Sequence, residues 1–93
     1  MHIDFDSAKD KINLALHGLS LSIASGLAWD EALVWVDERF QYEELRMIGL
    51  VPEGNRLYFV AFVAFVDRGK FRRVISLRYA DRREVKHYVE NYS

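Results

Sequence analysis

The spacing of apolar residues predicts two helices near the N-terminus, after a short extended start over His2–Phe5. Apolar residues recur at helical spacing along the first helix and predict one stripe that faces the core: Ala8, Ile12, Ala15, Leu16 and Leu19. Asp6 can cap this helix, which we expect to reach about Leu16, and Gly18 can supply the left-handed residue at its end. Ser20 can cap a second helix over residues 21–28.

From residue 32 the pattern changes to that of strands. Runs of β-branched and aromatic residues, separated by polar turns, predict strands over residues 32–36, 45–51, 57–66 and 71–79. The run 57–66 is apolar at both odd and even positions, as in a central strand covered on both faces. Asp81 can cap a last helix that reaches about Tyr92. The buried edge of that helix is predicted from its spacing: Val85, Tyr88, Val89 and Tyr92.

This order of elements predicts an α+β fold. The expected architecture is two N-terminal helices, a four-stranded antiparallel meander and a C-terminal helix, with the helices on one face of the sheet and the other face open to a ligand. A length of 93 residues corresponds to one domain over residues 1–93, and 51% hydrophobic residues suffice for a packed core.

The composition excludes several classes of protein from the interpretation. The chain has no cysteine, and its histidines (His2, His17 and His87) are too scattered to suggest a zinc site, so we expect neither a metal nor another cofactor. An acidic N-terminus and the lack of an 18-residue apolar run predict a cytoplasmic protein without a membrane segment.

Charge is divided unevenly along the chain. Residues 1–45 hold three basic and nine acidic side chains, whereas residues 46–93 hold ten basic and five acidic ones. The basic half can face a polyanion, although small domains often segregate charge by chance.

The alternation of side chains along a strand predicts which face of the sheet each basic residue in 71–79 occupies. It predicts Arg72, Ser76 and Arg78 on the open face, with Leu77 in the core. Arg73 falls on the core parity, so either a bulge turns it outward or it lies at the end of the sheet.

Four stretches of the chain resemble the BrnT family of toxins, in the order that the family has them. The first reads F-D-x-x-K-x-x-x-N-x-x-x-H-G over residues 5–18, and the second is Ala-Leu-Val at 32–34 with Asp37 beyond it. The third comprises Tyr42, Glu44 and Arg46, and the fourth runs over residues 73–80 and continues with Arg83, Glu84 and Tyr88. One departure is Leu16, where the family usually has a lysine before His-Gly.

The resemblance implies a RelE-like fold and a metal-independent endoribonuclease toxin of a type II toxin–antitoxin pair, which inhibits growth by cleaving RNA. It also implies a ribbon-helix-helix antitoxin (BrnA-like) that neutralises the toxin in a hetero-oligomer and binds operator DNA. The alternative is a decayed relative that only binds RNA or acts as an antitoxin-binding co-repressor. The absence of the lysine at position 16 favours that alternative.

Metal-free RNA cleavage needs a base, an acid and cations that stabilise charge on the phosphoryl oxygens. The candidate catalytic residues are Arg46, Arg73, Arg78, Ser76, His17, Glu84 and Tyr88. The candidate RNA-binding residues are Arg72, Lys70 and Arg83.

Each of these candidates also has a structural interpretation. Arg78 can form a salt bridge with Glu84, and His17 can stabilise the C-terminal end of its helix. Ser76 can bond backbone or phosphate, and Tyr88 can pack with its hydroxyl at the rim of the site.

Overall fold

Five strands form one mixed sheet in the order β1-β5-β4-β3-β2. The computed structural model describes residues 2–39, 41, 43–54 and 56–91. The strands are β1 (His2–Phe5), β2 (Leu33–Val36), β3 (Met47–Glu53), β4 (Arg56–Asp67) and β5 (Phe71–Tyr79). The meander from β2 to β5 is confirmed, and its strand ends agree with the predicted ones to within two residues.

The N-terminal segment makes the sheet larger than predicted. β1 pairs in parallel with β5, and Asp4 lies opposite Arg73. The prediction of four purely antiparallel strands is therefore wrong in this detail. A parallel pair needs a long connection between its strands, and here almost the whole chain supplies it, so no local pattern indicates the pairing.

The second predicted helix is replaced by two short 3₁₀ segments, Leu21–Gly26 and Trp29–Glu31. Ser20 caps the first segment as predicted, because its hydroxyl accepts from the Ser22 N–H at 3.2 Å. The Ser25 hydroxyl donates to the Ser22 carbonyl at 2.8 Å. Such local side-chain bonds compete with a regular helix, and Gly26 weakens it further.

The two α-helices begin and end near the predicted positions. The first, α1 (Ser7–His17), is capped by Asp6 and ends at Gly18, which has a φ of 70°. The second is α2 (Arg82–Asn91). Asp81 and Glu84 satisfy each other's backbone N–H groups at its start, both at 2.9 Å, as in a capping box. Val89 is exposed rather than buried, and Tyr92 lies outside the described residues.

Helices cover both faces of the sheet, so the expectation that they share one face is wrong. Val63 and Phe65 of β4 pack in the core with Leu21 and Ala24 of the first 3₁₀ segment. On the opposite face, α2 lies beside Phe62 and Leu50, and the His87 ring meets the Trp35 ring edge-on at 6.0 Å. This double cover explains why residues 57–66 are apolar at both parities. Neither described helix has the length and apolar character needed to span a bilayer.

The apolar stripe predicted for α1 does not face the core. Ile12 is 59% and Leu16 is 72% exposed, whereas Asn13 is only 3% exposed. The Asn13 amide donates to the Leu19 and Leu77 carbonyls, both at 2.8 Å, and accepts from the Leu77 N–H at 3.0 Å. These polar bonds, rather than the apolar stripe, set the rotation of the helix.

We expect Asn13→Ala to destabilise the fold by about 3 kcal/mol, because it leaves two carbonyls and one N–H without their partner in a largely buried place. Urea unfolding of the variant and the wild type measures this loss. Ile12→Ala is the control, since its side chain lies one position away and is largely exposed. The control should change stability by only about 0.5 kcal/mol. Similar losses in both variants would refute the role given to Asn13.

Candidate active site

A β-bulge in β5 decides which of its side chains leave the core. The pairing with β4 shifts at Ile75, which has no residue opposite it. Val74 and Leu77 both pack in the core although they are three residues apart. The bulge therefore turns Arg73 away from the side of the sheet on which Val74 packs, which decides between the two alternatives that the alternation left.

Arg72 lies on the opposite face from Arg73, so its expected position is wrong. Its guanidinium carbon is 4.8 Å from the centre of the Trp29 ring and 4.9 Å from that of Phe65. Its Nη1 atom is buried and has no hydrogen-bond partner among the described residues. The strand alternation placed Arg72 with Ser76, but the bulge between them reverses the parity.

Basic side chains from four parts of the chain line one open cavity of about 300 Å³. They are Lys9 from α1, Arg46 from the residue before β3, Arg68 from the turn after β4 and Arg73 from β5. Val66 and Ile75 contribute apolar lining, and Glu43 and Glu44 lie at the same cavity. We call this the basic cavity.

Carboxylates hold two of these cations. Arg73 Nη1 lies 2.8 Å from Asp4 Oδ2, and Arg68 Nη2 lies 2.9 Å from Glu44 Oε1. No carboxylate of the described part of the chain forms an ion pair with Lys9. Lys9 thus brings to the basic cavity a charge that no ion pair of the described residues compensates.

A smaller groove continues from the basic cavity along α1. Lys9 and Ile75 line both, and the groove adds His17, Ser76 and the exposed Leu16. Lys9, Asn13 and His17 are spaced by four residues and therefore lie along one side of the helix. An imidazole and a hydroxyl thus lie next to a cluster of cations.

Arg78 and Glu84 form a second, separate arrangement. Arg78 donates to both Glu84 carboxylate oxygens at 2.8 and 2.9 Å, and its guanidinium carbon lies 4.1 Å from the centre of the Phe62 ring. Hydrogen bonding to Glu84 raises the pKa of Arg78 above its ordinary value. Burial disfavours the charged form of Glu84, but its hydrogen bonds from Arg78 and the Asp81 N–H lower the pKa of Glu84 below its ordinary value.

The remaining candidates lie away from the basic cavity. The Tyr88 hydroxyl donates to the Glu31 carbonyl at 2.6 Å, which ties α2 to the second 3₁₀ segment. Lys70 is exposed in the turn before β5, and Arg83 borders a cleft with Trp35 and His87. Tyr42, which belongs to the sequence motif, lies outside the described residues.

Two of the four basic residues that line the cavity were absent from the candidates that the sequence suggested. Lys9 belongs to the N-terminal motif, and its spacing of eight residues from His17 could have indicated a shared side of the helix. Arg68 occupies a turn, where nothing in the local pattern distinguishes it from a solvated cation.

The arrangement suits an anionic ligand with phosphate groups. Arginine donates paired hydrogen bonds to a phosphate and keeps its charge, and lysine adds a compact positive charge. The adjoining groove adds the His17 imidazole and the Ser76 hydroxyl.

A sequence model of one protein family, the BrnT ribonuclease toxins of type II toxin–antitoxin systems, matches residues 5–84. The chain belongs to the BrnT family. Members of this family are ribonuclease toxins, which implies an RNA target and an antitoxin partner. The match spans the basic cavity, the groove and the Arg78–Glu84 pair.

A solved relative supports the fold. The chain is similar to the crystal structure of the Brucella abortus ribonuclease toxin BrnT, with a TM-score of 0.66 and 24% sequence identity. The similarity covers 88% of this chain and 99% of that one. No curated protein matches this chain significantly.

We expect Glu84→Gln to lower stability at neutral pH and to have little effect in acid. A carboxyl whose pKa is lowered on folding stabilises the fold above its unfolded pKa, and this contribution is lost as the pH falls through the lower folded value. The difference in the free energy of unfolding between wild type and variant should therefore be largest at pH values well above 4.5, the ordinary pKa of the group. It should shrink at pH values below 4.5.

Urea unfolding at a series of pH values measures that difference. Glu90→Gln is the matched control, because Glu90 lies on the same helix in an exposed pair with Lys86 at 3.8 Å. A difference between wild type and Glu84→Gln that stays constant from neutral to acidic pH would contradict the role of the Arg78–Glu84 pair.

Proposed function

We propose that this chain is an endoribonuclease that cleaves RNA at the basic cavity without help from a metal ion. The convergence of Lys9, Arg46, Arg68 and Arg73 on one open cavity carries this proposal. These residues come from distant parts of the chain, and only the fold brings them together.

The cations of the cavity bind the scissile phosphate and stabilise the negative charge that grows on its oxygens. Arg73 is the central residue, because the bulge turns it into the cavity and Asp4 holds its guanidinium at 2.8 Å. Lys9 adds a charge that no described carboxylate neutralises. Preorganised cations of this kind usually provide the largest part of such a rate enhancement.

Proton transfer is the role we assign to the groove beside α1. His17 takes the proton of the 2′-hydroxyl or returns one to the departing 5′-oxygen, and Ser76 donates a hydrogen bond to the phosphate. Lys9 lines both the groove and the cavity, and so connects the two functions.

Glu84, Arg78 and Tyr88 receive positioning roles in this proposal. The lowered pKa of Glu84 makes it a weak base at neutral pH, and its oxygens already accept from Arg78 and from the Asp81 N–H. Tyr88 fixes α2 through the Glu31 carbonyl. Lys70 and Arg83 are exposed and extend RNA binding beyond the cavity.

Regulation follows from membership of a toxin–antitoxin family. We propose that a ribbon-helix-helix antitoxin neutralises the chain in a hetero-oligomer, and that this complex binds operator DNA through the antitoxin. Without its antitoxin, the chain is expected to arrest growth.

The second candidate function is that of a binding module, which binds RNA or an antitoxin but no longer cleaves RNA. Two observations favour it: Leu16 stands where the family resemblance leads us to expect lysine, and the guanidinium groups of Arg68, Arg73 and Arg78 are all paired with carboxylates. Expression of the chain without an antitoxin, followed by mapping of RNA 5′ ends, separates the two. New 5′ ends with growth arrest support the ribonuclease, whereas unchanged ends and normal growth support the binding module.

We expect Arg73→Ala to reduce RNA cleavage about a hundredfold, since one guanidinium aimed at transition-state charge contributes on the order of 3 kcal/mol. The same variant should reduce the slope of log affinity against log salt by about 0.7, the loss of one phosphate contact on a single strand. Single-turnover cleavage and salt titrations of RNA binding measure these effects.

Arg72→Ala is the matched control for Arg73→Ala. The two residues are adjacent and equally charged, but Arg72 stacks on Trp29 and Phe65 on the opposite face. Its loss should lower stability and leave the salt slope of the folded protein unchanged. Equal effects of the two variants on cleavage and salt slope would exclude the basic cavity as the RNA site.

His17→Ala distinguishes the two roles of that histidine. Proton transfer predicts a rate loss of roughly 100-fold or more with an unchanged melting temperature. Stabilisation of the helix end predicts a loss of about 1 kcal/mol in the free energy of unfolding and nearly normal cleavage by the folded fraction.

Leu16→Lys is the companion variant, and faster cleavage is expected if a second cation in the groove stabilises the phosphate. No cleavage by either wild type or Leu16→Lys would remove the enzyme proposal.

A further inference from the structure

Among the described residues, the strand β2 forms one edge of the sheet and pairs with β3 alone, on its inner side. Exposed edge strands can pair with another chain, and proteins usually protect them with proline, lysine or a covering segment. The sequence Leu-Val-Trp-Val of β2 contains neither of those residues. This strand therefore has the properties of a site for strand addition.

The hydrogen-bond alternation defines which backbone groups point outward. The Asp37 N–H donates to the Arg46 carbonyl at 2.8 Å, which makes these two residues a hydrogen-bonded pair. Counting back by two, the N–H and carbonyl groups of Trp35 and Leu33 also point to β3. Those of Val34 and Val36 point away from the sheet, and no hydrogen bond from the described residues reaches them.

The side chains of this edge are partly exposed as well. Val34, Trp35 and Val36 are 37%, 37% and 38% exposed. A strand laid along the edge would cover part of each. Backbone groups give affinity in such pairing, and alternate side chains give specificity.

Charge indicates the kind of segment that fits. Asp30 and Glu31 precede β2, and Asp37 and Glu38 follow it. Arg39 neutralises Asp37 by a salt bridge at 2.9 Å, but Glu31 and Glu38 remain exposed at the two ends. A second copy of this chain would add its own acidic strand ends to these, whereas a segment with basic ends would be attracted.

We propose that β2 binds an extended segment of a partner protein by strand addition, and that this segment has alternating β-forming residues and a basic residue at each end. The outward N–H and carbonyl groups of Val34 and Val36 form the new ladder. The inference does not depend on RNA cleavage, because the outward backbone groups and the flanking acids carry it.

A defined peptide tests the proposal on the full chain. The probe is a capped heptapeptide in which threonine and valine alternate between two terminal lysines, and the matched control has glutamates in place of the lysines. We expect the lysine peptide to shift the backbone amide signals of Val34 and Val36 in a saturable manner. It should bind at least threefold more tightly than the glutamate peptide at low salt, and high salt should remove this preference.

Three variants of Val34 make the site assignment specific. Val34→Lys adds a cation to the edge and should weaken binding of the lysine peptide severalfold, while Val34→Thr keeps the β-branched shape and should preserve it. Val34→Pro removes an outward N–H without removing a bond to β3, so it should also prevent binding.

Three results would overturn the proposal. The first is no shift of the two valine amides at millimolar peptide, and the second is equal binding of both peptides at low salt. The third is a shift of the same amides with protein concentration alone, which would identify a second copy of the chain as the occupant.

Discussion

One buried amide, that of Asn13, determines how the helical part of this fold meets its sheet. β1 pairs with β5 only as far as Val74, so the Leu77 N–H and carbonyl on that side would lack a partner. The Asn13 side chain satisfies both, and also binds the Leu19 carbonyl. The amide thus replaces the missing strand and fixes α1 at the edge of the sheet. This position in turn brings Lys9 and His17, one turn to either side, to the basic cavity and its groove.

A second constraint is the bulge at Ile75, which gives adjacent arginines opposite functions. Arg72 covers Trp29 and Phe65 and belongs to the packing of the core side, whereas Arg73 lines the basic cavity. An unbroken strand could not keep Val74 and Leu77 in the core together. The extra residue is therefore needed both for a continuous core and for the cation of the cavity, and bulges commonly lie beside functional sites for this reason.

The sequence pattern correctly predicted the features that depend on interactions between neighbouring residues. Alternation and turn residues gave β2 to β5, and the capping residues Asp6, Ser20 and Asp81 were correct, because neighbours in sequence form these features. The pairing of β1 with β5 and the rotation of α1 depend on partners about 65 residues away, which no window of sequence contains. The bulge reversed the parity of Arg72 and Arg73 because one extra residue shifts the alternation without leaving a signal in composition.

The carboxylates that pair with the arginines differ in how easily a phosphate can replace them. Asp4 and Arg73 are both 40% exposed, and Arg68 and Glu44 are 41% and 54% exposed. Exposed pairs of this kind contribute only about 0–1 kcal/mol, so a phosphodiester anion can displace them at little cost. Glu84 is 21% exposed, holds Arg78 with both oxygens and also caps α2. Its displacement would break several bonds at once. The same ion pairing therefore leaves Arg73 and Arg68 available to a phosphate, while Arg78 remains part of the framework.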